Sequence, residues 1–106
     1  MSEFILVIST VPNEEEGKTI AEKIVAERLA ACVSLSSAVQ SFYWWQGKIS
    51  SDGEFMLFVK TRNDLYPKLE QRIRELHSYD VPEIIALPVC QGSQTYLDWI
   101  AKETKV

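Results

Sequence analysis

The chain has 106 residues, 46% of them hydrophobic and 25% charged, with a formal net charge of −4. That length suits one domain, taken as residues 1–106, with a hydrophobic core of its own, and the acidic balance argues against nucleic acid, whose binders carry a basic footprint. The first apolar run has no cationic segment before it and is too short for a signal core or a membrane span, so the expectation is a cytoplasmic protein without membrane association.

Phe4 to Thr10 is a β-type run, broken by Val11-Pro12-Asn13. Asn13 and Glu16 have capping-box spacing, and Glu14, Glu15 and Glu16 suit a positive helix N-terminus. Ile20, Ala21, Ile24, Val25 and Leu29 then recur at helical period, which predicts a helix to about Ala31. Cys32 to Trp45 reads as a long strand, Gln46-Gly47-Lys48 as its turn, and Ile49 to Thr61 as the returning strand, with a bulge expected at Asp52-Gly53. Asn63 or Asp64 is placed to cap a second helix striped by Leu65, Leu69, Ile73 and Leu76, and Pro67 falls near its first turn, where a missing N–H costs least. His77 should end that helix, and Val81-Pro82 should turn the chain into a strand from Ile84 to Cys90. Gly92-Ser93 opens a last helix carrying Tyr96, Leu97 and Ile100.

The order βαββαβ plus a terminal helix gives an α+β fold: a ferredoxin-like antiparallel sheet with its helices on one face. The other face of such a sheet is polar in a monomer. Here Phe4, Leu6 and Ile8 alternate with Ile5 and Val7, and Phe55, Leu57 and Val59 with Met56 and Phe58. Strands apolar on both sides are strands buried on both sides. A second copy of the same sheet is the simplest cover, so a homo-oligomer with sheets packed inward is expected. The hairpin adds to this. About fourteen residues of strand reach roughly 45 Å, and the arm ends in Phe42, Tyr43, Trp44 and Trp45, a cluster assigned to the subunit interface because a bare one would aggregate.

Catalysis finds little support. The loop TVPNEEEGK would repel a phosphate, and no P-loop, H-E-x-x-H or nucleophile elbow occurs. Phe55 and Phe58, the aromatics of the third strand, have opposite parity and cannot form one base-stacking face. Cys32 and Cys90 lack C-x-x-C spacing and read as small buried strand residues.

The stretches AERLAACVSL, SFYWWQGKI, FVKT, HSYDVPEIIALPV and GSQTYLDWI, in that order, resemble the CutA family of divalent-cation tolerance proteins over essentially the whole chain. The resemblance implies a homotrimer of ferredoxin-like subunits in the bacterial cytoplasm, without enzymatic activity and linked to tolerance of copper and other divalent ions. Its likeness to PII-type trimers leaves a small-ligand-binding regulator as the alternative. The copper ligands proposed for the family fall here on Ser9, Leu76 and His77, and only His77 is retained. Copper(II) favours imidazole and thiolate donors. We therefore expect copper(II) or another divalent cation to bind weakly, with His77 as the first candidate ligand and Cys32 and Glu83 as weaker ones. The other reading of His77, a helix-terminal residue, stays open.

Overall fold

Asn13 caps the first helix as its spacing predicts: its side chain accepts the Glu16 N–H at 2.7 Å in a computed structural model of the chain, which describes residues 3–105. Met1, Ser2 and Val106, the ends of the expected 1–106 domain, lie outside the described residues. In chain order the elements are β1 (Phe4–Val11), α1 (Glu14–Ala26), β2 (Cys32–Trp45), β3 (Lys48–Arg62), α2 (Tyr66–Leu76), β4 (Ile84–Pro88) and α3 (Gln94–Glu103). The four strands form one sheet in the order β2-β3-β1-β4, with every neighbouring pair antiparallel.

The core lies on one side of this sheet. Ile5, Val7 and Val11 of β1 and Leu57 and Val59 of β3 meet Ile20 and Ile24 of α1 and Leu69 and Ile73 of α2. Full burial of each such side chain is worth about 1.5–3 kcal/mol. At Gly17 an added Cβ would stand 2.8 Å from a Leu35 methyl, so the glycine lets α1 sit close on the strands.

Five expectations change. Helix α1 stops at Ala26 instead of Ala31, because Arg28 adopts a left-handed conformation (φ 63°). The Arg28 and Leu29 amides then close back on the carbonyls of Val25 and Ile24, a Schellman ending. Arg28 is held there by Glu103 of α3, at 2.8 Å. Strand β4 ends at Pro88, and Leu65, at the end of a 3₁₀ turn over Asn63–Leu65, takes the cap position of α2.

The bulge lies in β2, not at Asp52-Gly53. Leu35 pairs with Leu57 and Ala38 with Phe55, so Ser36 and Ser37 together oppose Met56. The Ser36 hydroxyl accepts the Met56 N–H at 2.8 Å and so satisfies the interrupted ladder. Asp52 and Gly53 pair regularly with Ser41 and Gln40.

Finally, the helices do not all share one face. Val33 and Thr61 point toward α1, Thr61 donating to the Leu29 carbonyl at 2.8 Å, so their neighbours Cys32 and Arg62 point away. Yet Tyr96 of α3 hydrogen-bonds Cys32, and Thr104, at the end of α3, accepts from Arg62 at 2.9 Å. α3 therefore covers one end of the sheet's second face, burying Ile100. The apolar stripe of Tyr96, Leu97 and Ile100 gives the helix its reason to lie there.

Candidate functional site

The bulge decides what the hairpin arm presents. Before it, Cys32 and Ser34 lie on the second face; one extra residue reverses the parity, so beyond it Ser41, Tyr43 and Trp45 lie there instead. Asp52 and Glu54 of β3 share that face. Phe42 and Trp44 project from the opposite side, beyond the helices among the described residues, and are 72% and 74% exposed. The loop after α2 bends over Asp52 and Glu54, and together they enclose a groove of about 910 Å³, lined among others by Tyr43, Trp45, Tyr79 and Glu83.

Two tyrosines are tied to carboxylates in it. Tyr79 donates to Glu54 at 3.0 Å, and Tyr43 donates to Asp52. Burial first, then the bond to Glu54 and the negative charge around it, push the Tyr79 hydroxyl up to about 12. Tyr43 is raised as well, chiefly through its bond to Asp52.

His77 stands behind this loop. It ends α2 as expected, its own N–H bonding the Ile73 carbonyl, while its backbone turns extended. Its imidazole is fully enclosed. Nε2 lies 2.7 Å from the Thr10 carbonyl, and Nδ1 lies 3.0 Å from the Tyr79 amide. A carbonyl only accepts and an amide N–H only donates, so Nε2–H donates, Nδ1 accepts, and the ring is neutral in that tautomer. Glu16 stands 3.4 Å from Nδ1 and accepts the Ser78 N–H at 3.1 Å. One ring thus joins the end of β1 to the start of the groove loop, with α1 braced beside it.

The other candidates are scattered. Glu83 lies exposed on the groove's rim. Cys32 is half-buried on the second face, with the Lys60 ammonium 3.7 Å from its sulfur. Cys90 is exposed beyond β4, so the expected burial of both thiols fails because the strand ends two residues earlier. Ser9 is fully buried on the helix-covered face with its hydroxyl unpartnered among the described residues, and Leu76 packs against the core. These donors do not fit a copper(II) centre within one chain: both imidazole nitrogens are engaged, and Ser9 faces away from the groove. Among the described residues, no group of three His, Cys, Asp or Glu is arranged to hold a metal ion.

Sequence reasoning passed over Asp52, Glu54 and Tyr79. The usable signal was hairpin register, which faces Ser41 with Asp52, and the misplaced bulge concealed it.

This strand order, with two helices on one face and a third at the end of the other, defines a ferredoxin-like α+β fold with an extended arm. The family model for CutA1 divalent ion tolerance protein matches residues 5–103, and the chain belongs to that family. It is 48% identical over 104 residues to the divalent-cation tolerance protein CutA of Thermus thermophilus, covering 98% of this chain and 99% of that one. The crystal structure of CutA1 from Oryza sativa superposes with a TM-score of 0.95 at 44% identity, covering 98% of this chain and 95% of that one. The structure of the periplasmic divalent cation tolerance protein CutA from Archaeoglobus fulgidus gives 0.94 at 35% identity, covering 96% of this chain and 99% of that one. Among the described residues, no helix is long and apolar enough to cross a membrane.

Proposed function

We propose that this chain acts in divalent-cation tolerance as a cytoplasmic homotrimer that catalyses no reaction and meets divalent ions, copper(II) among them, only weakly. The family match along nearly the whole chain carries the reading. Assembly is supported by the second sheet face, where Ile85 and Leu87 are 51% and 43% exposed beside the bare arm. Two free thiols suit a reducing compartment. Weak binding follows from His77: a copper(II) ion reaches either ring nitrogen only by breaking the bond to Thr10 or to Tyr79. Glu83 and Cys32 offer one donor each, in separate places.

Light scattering on a dilute sample should give the mass of three chains, and calorimetric titration should show weak copper(II) binding. Cells lacking the protein should grow less well on copper(II) salts and recover when it is restored. A folded, soluble monomer would refute the assembly, and tight stoichiometric copper(II) uptake would refute the weak-contact reading.

A further inference from the structure

We draw no further inference here: the strongest candidate, the cluster of Cys32, Lys60 and Tyr96 beneath α3 at the end of the second sheet face, rests on a lone cysteine on the face proposed for subunit assembly, and nothing else among the described residues points to a ligand or reactant there.

Discussion

On the side of the sheet that meets α1 and α2, Ile5, Val7, Leu57 and Val59 are at most 4% exposed; on the other, Leu6, Ile8 and Phe58 are only half-buried and Ile85 and Leu87 are exposed. The residues are of the same kind, alternate along the same strands, and differ only in what lies over them. α3 reaches the second face at the Cys32 and Arg62 end, and the loop after α2 covers Thr10 and Glu54, while Ile85 and Leu87 stay exposed. One face is completed within the chain, and the other keeps apolar side chains in the open.

That difference makes the largest expected effects separable. Leu69→Ala, on the completed side, should cost about 2–5 kcal/mol, by the same amount at every protein concentration. Ile85→Asp, on the open side, should lower the native mass and make the unfolding midpoint depend on concentration, as mass action requires. Denaturant unfolding of both variants at two concentrations checks this. An Ile85→Asp protein of unchanged mass would show that the open face is not an assembly surface.

The arm sharpens the comparison further. Trp44 belongs by register to the helix-covered side but lies beyond the helices, whereas Trp45 continues the open face into the groove. If Trp44 packs on a neighbouring copy, Trp44→Ala should cost about 3–5 kcal/mol, against no more than about 0.5 for a free surface residue. Trp45→Ala should change the melting temperature by a different amount, since Trp45 lies on the other face of the arm. Unchanged mass and melting in both variants would leave the arm a free surface feature.

How much of this could be read beforehand follows the same line. Period-2 alternation showed that both faces of β1 and β3 are apolar, and helical period put Ile24 on one apolar stripe and Leu69 and Ile73 on another, because these signals are local. Which face α3 takes is a tertiary choice, and its stripe of Tyr96, Leu97 and Ile100 fits either side. The bulge was missed for a similar reason. Ser36 and Ser37 carry no turn signal, whereas Asp52-Gly53 does, yet the serine hydroxyl is what satisfies the broken ladder. That one-residue error moves Tyr43 and Trp45 to the wrong face, and with them the groove. His77 was placed correctly at the end of α2, but nothing local reveals that its ring is sealed between Thr10 and Tyr79.

Ser9 and Thr10 set the two faces against each other within one dipeptide. Thr10 turns toward the groove, and its carbonyl is satisfied by His77. Ser9 turns inward, paired across the sheet with Leu57 and Ile84, and its hydroxyl finds no partner among the described residues. An unsatisfied buried hydroxyl costs about 1–3 kcal/mol, and removing it forfeits only the contacts of one atom. Ser9→Ala should therefore stabilise the protein by about 1 kcal/mol, raising the melting temperature by roughly 4 °C. A lower melting temperature would mean that the hydroxyl is satisfied in solution.

The smallest effect belongs to Tyr79, on the open side. Its hydroxyl is pushed up from the ordinary tyrosine value of about 10 to about 12 in the folded protein. Between those values the folded chain keeps a proton that the unfolded chain has released, so the native state binds more protons and stability falls as pH rises. The contribution is complete below about pH 10 and lost as pH climbs through about 12. Tyr79→Phe abolishes this titration, so the variant should lose less stability than wild type between those pH values, while being slightly weaker near neutrality without the Glu54 bond. The difference should be modest, because the side chain is 36% exposed and water screens much of the interaction. Leu69→Ala, whose site holds no titrating group, should track wild type across the same range. Denaturant midpoints of all three proteins from pH 9 upward test this, and parallel curves for wild type and Tyr79→Phe would show that the hydroxyl is not held by Glu54 in solution.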